Sequence, residues 1–463
     1  MSFNSVTFLF WFLPVFLVAY YLCRLRLRAC LLLVCSLFVY AWGSQLSLIF
    51  LIGFIGFNYV MGLLVESHKN TMPLAVVLDV AFLLLFKFTS AGADFGLAGG
   101  MPLGVSFFTL SGISYIADIS RGKTPAAKNP VKLALYIAMF PKLMVGPVVQ
   151  YADIEDQLDW PSVNSDMVAS GMLRFSIGLF KKLVFAGMLY DVVFYCWPDA
   201  PNSTASAWLA IVAYSLELYY DFSGYSDMAI GLASMLGFSL KENFIYPYAS
   251  HSLSDFWRRW HASLGAFFRD YVYIPLGGSR TGATLRNMFI VWLLTALWHG
   301  TGTQFLCWGA LMLIAALIEK GVRSAIRSAA AKSTAPESIG LSELGKIIGS
   351  AYTVPVVMAG WVFFNSANAA AGFMFFGNLF GNASAASSGI SDMYFANSFP
   401  LLLIAALGAT PIPKEAVFSL IGREGENNIF KTVLKCLFMS ALLVSSTIYL
   451  VNMGYTPFIY AQF

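Results

Sequence analysis

His299, in Leu297-Trp298-His299-Gly300, is the side chain of this 463-residue sequence whose setting most invites chemistry. An apolar run from Met288 to Trp298 leads into it, and apolar sequence resumes at Phe305. Imidazole changes charge near neutral pH and serves as a general base. A neutral histidine in a dry pocket can take the proton of a hydroxyl as that hydroxyl attacks a thioester. The competing reading is a hydrogen-bonded structural histidine at the end of a short helix. The sequence holds no GxSxG elbow, no HExxH, no P-loop and no GxGxxG after a strand. With four histidines in all, no metal site is expected.

A second histidine, His261, falls in Ser252-Leu-Ser-Asp-Phe-Trp-Arg-Arg-Trp-His-Ala-Ser-Leu-Gly-Ala-Phe-Phe-Arg-Asp-Tyr271. Ser252 with Asp255 three residues on resembles a capping box. Asp255 and Arg259 form an i,i+4 pair in the favourable order. At about 100° per residue, Asp255, Arg258, Arg259, Arg269 and Asp270 share one sector. Phe256, Trp257, Trp260, Leu264, Phe267, Phe268 and Tyr271 fill the other. The pattern predicts one amphipathic helix over 252–271. Its charges run its whole length, so it lies in an interface or roofs a cavity rather than spanning a bilayer. His261 sits at the edge between sectors. Either it is an interfacial histidine beside Trp257 and Trp260, or it lines the mouth of a pocket whose arginines hold a phosphate-bearing donor.

The elements that position these residues are set by composition. The chain is 58% hydrophobic and 11% charged, against about 25% charged in a soluble domain. Lipid must be its solvent over much of its surface. The net charge of +4 is mild; it suits loops facing anionic head groups and does not point to nucleic acid. Six cysteines without CxxC spacing point to neither a disulfide framework nor a metal centre. No Lys or Arg precedes 6–22, so this stretch does not read as a cleavable signal. The cluster Arg24, Arg26, Arg28 would stay cytoplasmic and leave the N-terminus facing outward.

A crossing takes about 20 apolar residues for about 30 Å. Candidates lie near 5–22, 29–43, 46–65, 73–90, 101–118, 133–150, 169–196, 206–220, 224–240, 287–299, 304–320, 346–364, 397–410 and 432–452. Several are short or broken by Gly and Pro, so about eleven are expected to span and the rest to be re-entrant or interfacial. Stretches 321–341, 381–389 and 411–431 read as extramembrane loops. The run before His299 is about 12 residues, roughly 18 Å of helix, which places His299 within the hydrocarbon depth. Broken backbone there must be enclosed by protein or face a wet cavity, and Gly300 and Gly302 permit the break. Ionisable groups at such depth are functional candidates by default. Glu217, Asp221, Asp227 and Lys142 also lie in apolar surroundings and need partners.

Several motifs occur in order: Tyr220-Asp-Phe-Ser-Gly-Tyr-Ser-Asp-Met-Ala-Ile-Gly231, Glu242-Asn-Phe, Asp255-Phe-Trp-Arg-Arg-Trp-His261, Arg269-Asp-Tyr-Val-Tyr-Ile-Pro-Leu-Gly-Gly278 and Leu297-Trp-His-Gly300. Pro102-Leu-Gly-Val-Ser-Phe-Phe108, Gly146-Pro147, Gly178-Leu-Phe-Lys-Lys182, Gly360-Trp-Val-Phe-Phe364 and Pro457-Phe-Ile-Tyr extend the set across nearly the whole chain. Together they resemble the membrane-bound O-acyltransferase family, and within it the bacterial branch that O-acetylates alginate and similar polysaccharides.

The resemblance implies a single all-α polytopic domain over 1–463, with about eleven transmembrane helices plus re-entrant and interfacial helices around a funnel or tunnel. It implies acyl transfer, here of acetyl, from a cytoplasmic thioester such as acetyl-CoA to an extracytoplasmic polysaccharide. The site is the bacterial cytoplasmic (inner) membrane. No tightly bound cofactor is implied, and a periplasmic SGNH-type partner is. The family's essential histidine corresponds to His299, and the branch's second histidine to His261. Arg258, Arg259, Trp257, Trp298, Asp221 and Asn243 are further candidates for binding donor or substrate. One departure is Asn365, where the pattern after Phe364 leads one to expect Arg. Two other readings stay open: D-alanyl transfer to teichoic acid from a carrier-protein thioester, and a transporter or channel without chemistry.

Overall fold

The computed structural model describes residues 1–89, 91–97, 100–143, 145–197, 203–280, 282–330, 339–381, 389–422 and 428–453. Every regular element among them is helical. The chain forms two compact units. The first comprises Met1–Leu183, Phe222–Glu242 and Gly422–Phe463; the second comprises Val184–Asp221 and Asn243–Ile421.

Among the described residues six helices are long and apolar enough to cross a membrane. Leu25–Gly43, Gln45–Ser67, Lys69–Phe88 and Ile429–Asn452 belong to the first unit, and Thr303–Ile326 and Gly345–Asn365 to the second. A bent pair in the second, Ala396–Gly408 and Pro411–Ile421, makes a seventh if taken as one. These helices carry exposed Ile49, Val77, Ile314, Ile347 and Val444, as lipid-facing surfaces do. Shorter apolar helices, Phe8–Leu22, Val105–Ser120 and Ala369–Leu379, accompany them.

Five sequence expectations change. Residues 133–150 do not form a spanning helix: Pro130–Ala138 is followed by the four-residue helix Phe140–Leu143, and residues 145–150 carry no helix before Tyr151. Residues 206–220 and 224–240 are not two helices; one helix runs unbroken over Thr204–Met235, through Gly224. Residues 321–330 continue the helix Thr303–Ala330 rather than entering a loop, while 331–338 lie outside the described residues. Pro411–Ile421 is a helix bent by 74° from its predecessor, because Pro411 has no N–H to continue the hydrogen-bond ladder. The amphipathic stretch 252–271 is broken at Trp260-His261 into Leu253–Arg259 and Ala262–Phe268. The expected loop 381–389 lies mostly outside the described residues.

The glycines of the first unit explain why Gly224 does not end its helix. A Cβ on Gly178 would sit 2.5 Å from the Gly224 carbonyl oxygen, and one on Gly224 would sit 2.7 Å from the Gly178 oxygen. Gly171 and Gly231 stand in the same relation at 2.6 Å. The glycines are spaced by seven on both helices and pair in opposite order, so Ser165–Phe180 runs antiparallel to the 222–235 segment with backbones touching. Small residues allow this approach between membrane helices. Ion pairs ride on the same seam. Arg174 and Lys181 both hold Asp227, at 2.9 and 2.7 Å, and Arg174 also holds Glu242. The expected partners of Lys142 are neutral: it donates to Ser111 Oγ at 3.0 Å and lies 4.3 Å over the Tyr136 ring.

The seam yields a stability test. Gly178→Ala drives a methyl into backbone that cannot swing aside, and overpacking of this kind costs about 1–3 kcal/mol. Gly53→Ala adds a methyl with nothing within 4 Å and is neutral or stabilising. Thermal unfolding in detergent is expected to fall for the first alone; equal shifts would refute the seam.

Candidate functional site

The helix Thr284–His299 has 16 residues, about 24 Å at 1.5 Å per residue, and His299 is its last. Its side chain is 3% exposed. Aromatic rings enclose it: Trp298 at 4.9 Å between ring centres, Trp308 at 5.1 Å and Phe364 at 5.1 Å, all edge-on, with Phe305 at 6.5 Å. This is a largely aromatic surround for an imidazole. Beyond it, Trp257, Trp292 and Trp308 meet mutually edge to face at 5.2–5.8 Å. Among the described residues neither Trp257 nor Trp308 has a hydrogen-bond partner for its buried indole N–H, although buried tryptophans usually find one.

Gly300 serves space rather than backbone freedom, a correction to the sequence reading. Its φ of 178° is ordinary extended backbone. A Cβ there would lie 2.2 Å from the Phe305 ring, and Phe305 is itself buried against Phe364.

His261 is not on a continuous helical face. It caps Ala262–Phe268 with φ 45° and ψ 47°. Such a conformation costs a non-glycine residue about 1–3 kcal/mol and persists where surrounding structure enforces it. The enforcing segment is 243–245. Ala262 N donates to Asn243 O at 2.9 Å, and Ile245 N donates to Arg259 O at 3.0 Å. The Asn243 side-chain oxygen accepts from Ser263 N at 3.3 Å and from Ser263 Oγ at 2.7 Å, and lies 3.1 Å from His261 Nδ1. Asn243 is fully buried and His261 is 4% exposed. Burial pushes the His261 imidazole far below its ordinary value, to about 3.

Trp298 joins the two histidines. Its ring meets His261 at 6.2 Å and His299 at 4.9 Å. The sequence reading singled out all three, and Asn243, and the fold brings these four together. Trp257 lies in the indole cluster next to them. Arg259 pairs with Asp255 at 3.0 Å, as expected, and Arg258 is exposed and donates to Ser254 O. Asp221 is buried in the helix Thr204–Met235, one turn from buried Glu217.

Sequence reasoning missed Glu319. Ser252 caps Leu253–Arg259 by accepting from Asp255 N at 3.1 Å, as foreseen. Glu319 completes that cap by accepting from Leu253 N at 2.6 Å and from Ser254 Oγ at 2.7 Å, with Arg323 at 3.2 Å on its outer side. An acidic group at a helix N-terminus is favourable. Its one signal was an acid inside an apolar run. Trp308 and Phe364 were missed because aromatic residues in apolar helices carry no distinguishing mark.

Comparison with known proteins bears on this arrangement. The sequence profile of the membrane-bound O-acyltransferase family matches residues 120–343. A protein of Pseudomonas putida described as a probable alginate O-acetylase is 36% identical over 504 aligned positions spanning both chains completely. The chain belongs to the membrane-bound O-acyltransferase family. A second probable alginate O-acetylase, of Pseudomonas syringae, is 41% identical over 80% of this chain and 73% of its own. A peptidoglycan O-acetyltransferase of Helicobacter pylori is 32% identical over 79% of this chain and 77% of its own. This membrane-bound O-acyltransferase is therefore a multi-pass membrane enzyme that transfers acyl groups.

Gly300→Ala tests the cage of this acyltransferase. The added methyl displaces Phe305 and with it one wall around His299. A misplacement of about 1 Å can cost up to about 100-fold in rate. Acyl-transfer rate is expected to drop at least tenfold at unchanged protein abundance; a normal rate would show that Phe305 yields harmlessly.

Proposed function

We propose that this enzyme moves acetyl groups from a cytoplasmic thioester, acetyl-CoA, towards hydroxyls of an extracytoplasmic polysaccharide of the alginate type. The observation that carries the reading is a pair of buried histidines sharing one indole, His261 and His299 on Trp298, in a chain of this family. The printed names of the relatives favour acetyl over other acyl groups and polysaccharide over other acceptors. The enzyme sits in the bacterial inner membrane, crosses it about eleven times around a tunnel, and hands the acetyl group to a periplasmic SGNH-type partner. Arg258 and Arg259 attract the phosphates of the donor.

In this reading a hydroxyl of the immediate acyl acceptor attacks the thioester carbonyl carbon. The C–O bond forms and the C–S bond breaks. The hydroxyl proton passes to His299 and then to the departing thiolate. The aromatic cage holds His299 as the general base and excludes water that would hydrolyse the thioester. The indole N–H groups of Trp257 and Trp308 supply donors for the carbonyl oxygen as it gains charge.

His299→Ala is expected to abolish polymer acetylation at normal protein abundance; retained acetylation would remove His299 from the chemistry. Trp308→Phe keeps a ring against His299 and deletes one donor. It is expected to slow turnover up to about 100-fold with little change in KM, measured as thiol release from acetyl-CoA. Turnover with an aminoacylated carrier protein and none with acetyl-CoA would instead favour D-alanyl transfer.

A further inference from the structure

The hydrogen bonds around Asn243 determine more than the shape of the chain break. Amide oxygen and nitrogen are alike in outline, but here the network tells them apart. Ser263 N is a backbone donor and cannot accept, so the Asn243 atom 3.3 Å from it must be the oxygen. That same oxygen lies 3.1 Å from His261 Nδ1. An amide oxygen only accepts, so Nδ1 carries the hydrogen and donates. In a neutral imidazole the other nitrogen, Nε2, then bears the lone pair.

We propose that Asn243 is a positioning residue that locks His261 as its Nδ1–H tautomer, so that Nε2 is a fixed hydrogen-bond acceptor for the O–H of the acyl acceptor. This rests on the acyl-transfer reading above and divides the labour within it. His261 aims the hydroxyl; His299 takes its proton. Three features support the assignment. The left-handed backbone at His261 leaves the ring little freedom to turn, because residues 243 and 245 clamp both sides of the break. Stacking of Phe244 on the His261 ring, at 6.5 Å and 14°, holds its plane. Burial keeps the imidazole neutral, so it accepts a hydrogen bond without departing with a proton. Partners that fix the tautomer of metal-bound histidines are worth about 10- to 100-fold when lost, and Asn243 makes the same kind of contact to His261.

The test uses the full-length protein in detergent with 15N-histidine. His68, His251 and His299 are the other histidines, and His261→Gln assigns the remaining signal. At neutral pH the wild type should show a protonated Nδ1 and an unprotonated Nε2 at His261. Asn243→Asp keeps an acceptor oxygen and should keep that tautomer. Asn243→Ala should lose it and lower kcat by roughly 10- to 100-fold, with KM for the donor near its wild-type value. A protonated Nε2 in the wild type would overturn the proposal, and so would an unchanged tautomer and kcat in Asn243→Ala. The nitrogen signals need no substrate. A correct tautomer in an enzyme that fails to use acetyl-CoA would thus reject the donor and leave the role of Asn243 standing.

Discussion

Backbone that leaves a helix among apolar side chains must find its hydrogen bonds within the protein, because lipid offers none. Both histidines stand at such departures. At Trp260-His261 the loose groups are taken up by residues 243–245, which lie well before the break in sequence. At His299 the helix ends with Gly300 N bonded to Ala296 O at 3.1 Å, and the chain restarts within three residues. At His261 the residue that satisfies the break also holds the ring, since the Asn243 side-chain oxygen lies 3.1 Å from Nδ1.

This explains the division between what could be read in the sequence and what could not. His299 drew attention because it is a polar ring at the end of an apolar run, and the structure places it buried at the last position of its helix. The ordered motifs made the family legible. The break at His261 was not, because the wheel pattern of 252–271 continues across it: Trp257, Trp260 and Leu264 keep helical spacing on both sides. What stops the helix is Asn243, which no local pattern can reveal. Glu319 is hidden for the same reason, acting on a helix start 66 residues earlier.

The candidate runs 206–220 and 224–240 meet at Gly224, and that glycine is there to admit another backbone. Periodicity within one helix cannot show this. A comparison of two segments can, since Gly171 and Gly178 repeat the spacing of Gly224 and Gly231. Asp227 supports the pairing, because a half-buried carboxylate on this seam is met by the cations of Arg174 and Lys181.

The glycine seam also limits how that helix pair can move. Side chains act as bearings between most helices, and rotamer changes let one slip along another. Here carbonyl oxygens rest against Cα atoms at two places two turns apart. A shift of a single turn would bring Arg174 or Asp227 to a contact wide enough only for hydrogen. Piston-like sliding is therefore barred, and rocking would open one glycine contact only by compressing the other. The pair behaves as a rivet set at two points, a rigid reference within its own unit.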